Sequence, residues 1–385
     1  MTRLRQIDIV RGLIMVLMAI DHVRVFAGVP AGGPTAGLFF TRWVTHFCAP
    51  GFVFFAGTSA YLYGKKAGSL PGLSRFLLGR GLWLVLLELT LMRLAWTFNF
   101  DLWNYNLAGV LWMIGWCLVA LSALVWLPAQ VVGVFGVMMI ACHNLLDPHV
   151  RSLVQSLADD PLAWAWQVMY FGGSFRLAGT GPRLVILYSL VPWIGVMAAG
   201  YGFGLVLELP PARRTRGCLI IGIAAITAFV LLRTFNIYGD PRPWGGPNFP
   251  AVFSFLNTNK YPASLLFLLM TLGPLITLLP LVEHARGRLA GALELFGRAP
   301  LFYYVLHIPL IHLLAVGVSL VRSGGVTPWL FGNHPMEPPP PPDGYAWSLW
   351  LLYAITALAI VLLYFACTWF VEYQRRSRSL LARYF

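Results

Sequence analysis

The chain has 385 residues, of which 58% are hydrophobic and only 11% are charged, and its mean hydropathy is +0.73. This balance excludes an ordinary soluble globular protein. The formal net charge of +13 comes from Lys and Arg residues that lie between apolar runs and not along one face, so a nucleic-acid-binding protein is excluded as well.

Ten apolar stretches are long enough for a helix that crosses a bilayer, which takes about 20 residues. A backbone in hydrocarbon must satisfy its hydrogen bonds internally, and the sequence lacks the alternation typical of a barrel, so these stretches predict helices. A shorter segment rich in Trp and Tyr, 161–172, is typical of an interfacial or re-entrant piece. The ten stretches are 7–27, 38–63, 76–97, 107–127, 129–146, 184–207, 217–237, 262–282, 293–319 and 346–371.

Basic residues predict the orientation of these spans. Alternate loops carry Arg3, Arg5, Lys65, Lys66, Arg75, Arg213, Arg214, Arg216, Arg286, Arg288, Arg375, Arg376, Arg378 and Arg383. The intervening loops carry mixed or no charge, so the basic side is predicted to be cytoplasmic. We therefore expect an all-α, polytopic transmembrane bundle of about ten spans, a single domain over 1–385, with both termini in the cytoplasm.

The first predicted helix contains several ionisable residues, each of which costs several kcal/mol inside a bilayer and is therefore a functional candidate. Asp8 precedes Arg11 by about one turn, and His22 follows Arg11 by eleven residues, which returns to nearly the same helical angle. A polar stripe is thus predicted, with His22 about 16 Å beyond Arg11. A structural Asp8–Arg11 salt bridge and a His22 that caps the helix end are the alternative interpretations.

Histidines in the second and ninth stretches are expected at a depth in the membrane similar to that of His22. His46 precedes Pro50–Gly51, which predicts a kink or a broken helix in the second stretch. His307 and His312 lie in the ninth stretch. The alternative for His46 is that it serves only in packing. The alternative for His307 and His312 is that they bond backbone carbonyls freed by Pro309.

Three further charged residues lie in or beside the predicted spans, with Glu88 in the middle of the third. Glu88 is expected to pair with a neighbouring helix, while Arg93 and Lys260 add positive charge at the outer ends of their spans.

Four segments in order carry a family resemblance. Asp8-x-x-Arg11-Gly12, followed by an apolar helix and His22, resembles the opening of the transmembrane acyltransferase superfamily. HFCAPGFVFFAGTSAYL (46–62), NKYPASLLFLLMTLGP (259–274) and FGRAPLFYYVLHIPL (296–310) resemble its bacterial branch related to heparan-α-glucosaminide N-acetyltransferase.

This resemblance implies the transfer of an acyl group, usually acetyl from acetyl-CoA, to a sugar amine or hydroxyl on the far side of the membrane. Arg11 and His22 match the paired Arg and His of the O-acyltransferase relatives, whose His is the proposed base. Residues 28–41 contain no His, so the histidine that the lysosomal glucosamine enzyme has between its first two helices has no counterpart here.

Neutral imidazole suits the base that acyl transfer needs, and cations suit the developing oxyanion and the CoA phosphates. The predicted catalytic residues are His22, Asp21, His46, Arg11 and Asp8, with His22 oriented by Asp21 or His46. The predicted substrate- or CoA-binding residues are Arg93, Asn257, Lys260, Tyr261, Arg298, Tyr304 and His307. Acetyl-CoA is the expected co-substrate, and no metal is expected.

The sequence thus predicts an acyltransferase of the bacterial inner membrane that acts on an extracytoplasmic glycan or glycolipid. A proton-coupled secondary transporter or exporter is the alternative, because intramembrane Asp, Arg and His can also relay protons. A non-catalytic assembly partner of an envelope-polysaccharide machine is the third hypothesis. The acceptor, the acyl chain and a homodimeric state are left open.

Overall fold

The computed structural model describes residues 4–33, 35–148, 162–245, 250–333 and 339–377. Arg3, Arg378, Arg383 and residue 161 of the predicted interfacial segment lie outside these ranges. The helices are, in chain order, α1 (Arg5–Phe26), α2 (Ala36–Trp43), α3 (Cys48–Ala67), α4 (Leu70–Leu87), α5 (Arg93–Thr97), α6 (Val110–Leu124), α7 (Ala129–Cys142), α8 (Ala163–Trp166), α9 (Val191–Leu207), α10 (Pro211–Thr234), α11 (Ala251–Leu256), α12 (Leu265–Val282), α13 (Arg288–Arg298), α14 (Pro300–Ser323) and α15 (Leu349–Arg376). Three short strands are β1 (Asn106–Ala108), β2 (Gly173–Arg176) and β3 (Arg183–Ile186).

The all-α class is confirmed, and every predicted apolar stretch carries a helix. Among the described residues, five helical segments are long and apolar enough to cross a membrane: Ala129–Leu146, Pro211–Thr234, Leu265–Val282, Pro300–Ser323 and Leu349–Arg376. Two shorter helices, Val110–Leu124 and Val191–Leu207, are also apolar. Ten spans, the cytoplasmic termini and the single domain stay predictions.

Among the predicted spans, the second and the ninth are each interrupted. In the second, a 3₁₀ turn, Val44–Phe47, separates α2 from α3, and Pro50 lies in the first turn of α3. Proline is tolerated there because the first N–H groups of a helix have no partner within it, so the helix breaks just before Pro50–Gly51 and not at it. The ninth stretch, 293–319, is two helices, because α13 ends at Arg298 and Pro300 begins α14.

The described chain divides into two compact units, and the first comprises 49–89 and 102–280. Its strands form a small sheet in the order β1-β3-β2, in which β3 pairs parallel with β1 and antiparallel with β2. In the same unit the buried carboxylate of Glu88 accepts a hydrogen bond from the backbone N–H of Leu111, 2.9 Å away, in the first turn of α6. The predicted pairing of Glu88 with a neighbouring helix is thereby confirmed.

The second unit comprises 2–48, 90–101 and 281–385, and α1 packs against α13, α14 and α15 within it. The backbones of α1 and α13 approach each other closely. A Cβ atom on Gly12 would overlap the carbonyl oxygen of Leu293, and a Cβ atom on Gly297 would overlap the carbonyl oxygen of Asp8. Small residues permit such contact between membrane helices, where dispersion and not the hydrophobic effect drives association. The glycine of the Asp8-x-x-Arg11-Gly12 motif is therefore a packing residue.

Candidate active site

The helices α1 and α14 run side by side in the second unit and bring two histidines together. Tyr303 on α14 donates from its hydroxyl to the carbonyl of Met15 on α1, 3.1 Å away. About two turns further along α1, Nδ1 of His22 lies 2.6 Å from Nε2 of His307. The contact confirms the prediction that His22 and His307 lie at a similar depth in the bundle.

The two histidines differ in how far they are buried. His307 is fully buried, whereas His22 is half-buried. The ring of Trp96 meets the His22 ring edge-on, with centroids 4.9 Å apart, and the Tyr304 ring packs against His307 at 5.2 Å. Aromatic walls on both sides fix the planes of the two imidazoles.

The hydrogen bonds of the pair determine where its protons lie. Nδ1 of His307 bonds the carbonyl oxygen of Tyr304, and a carbonyl only accepts, so this nitrogen carries a hydrogen. In a neutral ring Nε2 of His307 is then an acceptor, and Nδ1 of His22 must be the donor across the 2.6 Å contact. Nε2 of His22 is therefore the nitrogen with the lone pair, which is the proton-accepting form that a general base needs.

A cluster of charged residues lies at the same end of α1 as His22. Asp21 accepts from Nε of Arg24 at 3.0 Å and lies 3.4 Å from Nη1 of Arg42 on α2. Arg42 also donates to the hydroxyl of Thr45, 3.1 Å away. Two guanidinium groups against one carboxylate leave these three side chains with a net positive charge.

Nδ1 of His22 contacts His307, and the predicted orientation of His22 by Asp21 or His46 stays a prediction. Asp21 faces the two arginines of its cluster. His46 is buried in the turn Val44–Phe47, and its part in the site stays a prediction.

His312 lies one further turn along α14 and has a packing role. Its Nδ1 bonds the carbonyl of Ala95, 3.0 Å away, and its ring stacks between Phe26 and Phe98. Because Pro309 frees the carbonyl four residues before it, at position 305, neither His307 nor His312 bonds that carbonyl through Nδ1. Both histidines bond backbone carbonyls, but that of His312 belongs to Ala95, so the alternative interpretation is wrong for His312 and stays a prediction for His307.

Arg93 is completely buried and orders the segment that follows it. It donates to the hydroxyl of Thr97, to the side chain and carbonyl of Asn99 at 2.8 and 2.7 Å, and to the carbonyl of Asp101 at 2.7 Å. Most of its five N–H donors are thus used within the chain. Its predicted contact with substrate anions stays a prediction.

Three other predicted residues lie towards the opposite end of α1. At a rise of 1.5 Å per residue, Asp8 lies about 21 Å and Arg11 about 16 Å along the helix from His22. Nη1 of Arg298 lies 3.9 Å from Oε1 of Glu294. The carboxylate of Glu294 also accepts a hydrogen bond from Nε of Arg5, 2.7 Å away. The structure therefore does not bring Asp8, Arg11 or Arg298 to the histidine pair.

The remaining predicted residues belong to the first unit. The carbonyl of Asn257 accepts from Arg233 at 3.2 Å. Lys260 is buried with its Nζ 5.2 Å from the ring centroid of Tyr261, whose hydroxyl lies 3.3 Å from that of Tyr188. Among the described residues no carboxylate forms an ion pair with Lys260, so this cation is held by an aromatic face alone.

Arg24, Arg42 and Trp96 were not among the predicted site residues. Arg42 is a charged side chain inside an apolar stretch, which is the same signal that identified Arg11. Trp96 carries no such signal, because tryptophan is common at membrane interfaces.

The comparisons with known proteins decide the family. A family profile described as "Heparan-alpha-glucosaminide N-acetyltransferase, catalytic" matches residues 3–238. The chain belongs to this acetyltransferase family. The matched region contains His22, Asp21 and Arg42 and ends before α14, so His307 lies outside it. No curated protein sequence matches the chain. Among the described residues, no group of three or more His, Cys, Asp or Glu side chains is arranged to hold a metal ion.

Proposed function

We propose that this chain transfers an acetyl group from acetyl-CoA to an amine or hydroxyl of an extracytoplasmic glycan or glycolipid. The observation that carries the proposal is the His22–His307 pair, whose hydrogen bonds make Nε2 of His22 a proton acceptor. Imidazole is the side chain best suited to act as a base near neutral pH. Membership of the acetyltransferase family supports the acetyl group as the one transferred.

In the proposed reaction the acceptor attacks the thioester carbonyl of acetyl-CoA. A C–N or C–O bond forms, the C–S bond breaks, and the acceptor's proton moves to Nε2 of His22. The proton then passes to the departing CoA sulfur, which returns His22 to its neutral form. While His22 is charged, its Nδ1–H continues to donate to His307, which offsets part of the cost of the cation.

Positive charge at the end of α1 that carries His22 supports binding of a donor that carries phosphates. Arg24 and Arg42 together exceed the charge of Asp21, and cations at this position favour a developing oxyanion or a phosphate. We further propose that Lys260, with Asn257 and Tyr261, forms a separate anion contact in the first unit.

The proposed setting is the cytoplasmic membrane of a bacterium, with both termini in the cytoplasm. The donor then comes from the cytosol, and the acceptor lies on the other side. The basic loops support this orientation.

The test uses the full chain in detergent with acetyl-CoA and glucosamine, and it measures free CoA thiol and acetylated product. We expect His22→Ala to lower kcat by about 100-fold or more, as for the loss of a general base. His284→Ala, at an exposed histidine in the 283–287 segment, is the matched control and should keep full activity.

Full transfer by the His22→Ala variant would refute His22 as the base. Uptake of a sugar into proteoliposomes under a pH gradient, without release of CoA, would instead support the transporter alternative.

A further inference from the structure

A third histidine, His143, lies in the first unit, in the 3₁₀ turn His143–Leu146 that follows α7, and both nitrogens of its ring are engaged. Nδ1 lies 2.9 Å from the carbonyl oxygen of Ile140, which is one turn earlier in the chain. Nε2 lies 2.9 Å from the carbonyl oxygen of Ala263. The residue is 5% exposed, so both contacts are made within the protein.

These two contacts determine how many protons the ring of His143 carries. A carbonyl oxygen only accepts hydrogen bonds, so each ring nitrogen needs a hydrogen to make its contact. In a neutral ring, one nitrogen would point a lone pair at a carbonyl oxygen 2.9 Å away, and that buried carbonyl would lose its donor. The observed arrangement therefore requires the imidazolium form, with hydrogen on both nitrogens.

The surroundings of His143 supply a negative charge. The hydroxyl of Tyr170 lies 2.8 Å from the carbonyl oxygen of His143 and 2.5 Å from Oδ1 of Asp147, so the carboxylate lies at the end of the same turn. A second carboxylate nearby, Asp240, is 3.8 Å from Arg233 and is thus already paired. In the part of the chain that the structure describes, the other titratable groups on the segments that meet here are Cys142, Tyr188, Tyr238, Lys260 and Tyr261.

The contact to Ala263 fixes the 259–265 segment, which lies 120 positions from His143 in the chain and leads into α12. Beside it, the backbone N–H of Leu265 donates to Oδ1 of Asn144, 2.8 Å away. Two consecutive residues of the turn after α7 thus hold the segment. The bond from Asn144 does not depend on pH, whereas the bond from His143 exists only while Nε2 carries a hydrogen.

We propose that His143 is a pH-operated clamp, which holds the 259–265 segment while both ring nitrogens carry hydrogen and releases it when one hydrogen is lost. The bond to Ile140 lies within one turn of the chain, so the contact to Ala263 is the one that opens. Because the closed form holds one more proton than the open form, a rising pH favours the open form. Release also changes the position of the buried Lys260 in this segment. The inference goes beyond the proposed acetyl transfer and does not depend on it.

Hydrogen exchange of the full chain in detergent tests the clamp. Amide exchange of 259–265 is measured by mass spectrometry between about pH 6 and pH 9, and each rate is divided by the intrinsic rate at that pH. We expect the protection of this segment to fall by about tenfold or more as the pH rises, while α6 of the same unit keeps its protection. His143→Gln has no titrating ring and should show no pH dependence in this segment. His284→Gln, at the exposed histidine, is the matched control and should behave as wild type.

Constant protection of 259–265 in the wild-type protein would overturn the proposal. The same pH dependence in a folded His143→Gln variant would do so as well. An equal loss of protection in α6 would show general unfolding at high pH in place of a local release, and would also overturn it.

A second measurement reads the ring protons directly and needs no variant. Protein with nitrogen-15 in its histidine rings and carbon-13 in its alanine carbonyls is examined by solid-state NMR in lipid. Among the described residues, two histidines bond alanine carbonyls, His143 to Ala263 through Nε2 and His312 to Ala95 through Nδ1, so the nitrogen in contact tells them apart.

Near about pH 6 we expect hydrogen on both nitrogens of the ring that contacts alanine through Nε2, and near about pH 9 we expect that contact to be lost. The alanine contact of His312 serves as the internal reference and should persist. A neutral His143 ring near about pH 6, with its Nε2 still against the alanine carbonyl, would overturn the proposal.

Discussion

Nδ1 of His22 and Nε2 of His307 share one proton across 2.6 Å, although the two residues are 285 positions apart in the sequence. The bond from Nδ1 of His307 to the carbonyl of Tyr304 decides the direction in which that proton is donated. A buried histidine thus sets the tautomer of a half-buried one. This relation gives the two residues different roles, His22 as base and His307 as a positioning residue.

His307→Phe keeps an aromatic ring of similar size but removes the acceptor for Nδ1 of His22. We expect kcat to fall by about tenfold to 100-fold with KM little changed, a smaller loss than at the base itself. His307→Gln retains an oxygen acceptor and should recover part of the rate. Steady-state kinetics of both variants with acetyl-CoA and glucosamine measure this.

His284→Phe, at the exposed histidine, is the control for these variants and should behave as wild type. Equal loss of rate in the Phe and Gln variants of His307 would contradict the orienting role and indicate packing alone.

Asp21→Asn removes the only carboxylate found between Arg24 and Arg42 within the described cluster. The side chains of Asp21 and Arg24 are 17% and 10% exposed, so the two guanidinium groups are left partly desolvated without their counter-charge. We expect a loss of about 2 kcal/mol of unfolding free energy, measured by thermal unfolding in detergent.

Glu372→Gln provides the comparison for Asp21→Asn, because Glu372 pairs with the highly exposed Arg376. Exposed pairs contribute about 0–1 kcal/mol, so this variant should unfold near the wild-type temperature. Equal shifts of the unfolding temperature in the two variants would show that the Asp21 cluster stabilises the protein no more than a surface ion pair does.

Gly12→Ala and Gly297→Ala test the close approach of α1 and α13. In each, the new methyl group overlaps a backbone carbonyl of the other helix, which must move away. We expect about 1–3 kcal/mol of destabilisation or loss of folded protein, as for overpacked cores.

Gly291→Ala lies on the same α13 with nothing within 4 Å of its Cβ position. It should stabilise the helix by up to about 1 kcal/mol, because alanine has the higher helix propensity. These expectations are checked by the thermal unfolding of the three variants and by their yield in size-exclusion chromatography. A Gly12→Ala variant as stable as wild type would contradict the close packing of α1 and α13.

The sequence predicts most of the helices because each consists of a long apolar stretch, and α1 with His22 is found where its pattern places it. Helix ends follow from local chemistry: Pro300 starts α14, and Gly324, with a positive φ of 68°, ends it. The sheet was not predicted. Its strands of three or four residues are too short for a pattern, and β1 and β3 lie at the start of the apolar stretches that contain α6 and α9.

The partners within the site depend on helix rotation, which sequence spacing leaves undetermined. Asp21 adjoins His22 in the chain, but Arg24 three residues later lies within reach of its carboxylate on the same helix. His307 contacts His22 only because α1 and α14 pack with those faces together. The spacing predicted similar depths for these histidines, and only the packing of the helices identifies which of them touch.

Glu88→Leu tests whether the buried carboxylate of the first unit is structural. Glu88 accepts from the N–H of Leu111, and its side chain fills the space that a Cβ atom on Gly109 would take. Leucine removes the acceptor from a helix N-terminus, and we expect a loss of about 1–3 kcal/mol, measured by thermal unfolding. Glu88→Gln keeps an acceptor oxygen and should lose less stability while retaining acetyl transfer, because this carboxylate is assigned no proton in the reaction. A folded Glu88→Gln variant that has lost acetyl transfer would place Glu88 in the chemistry and would contradict a purely structural role.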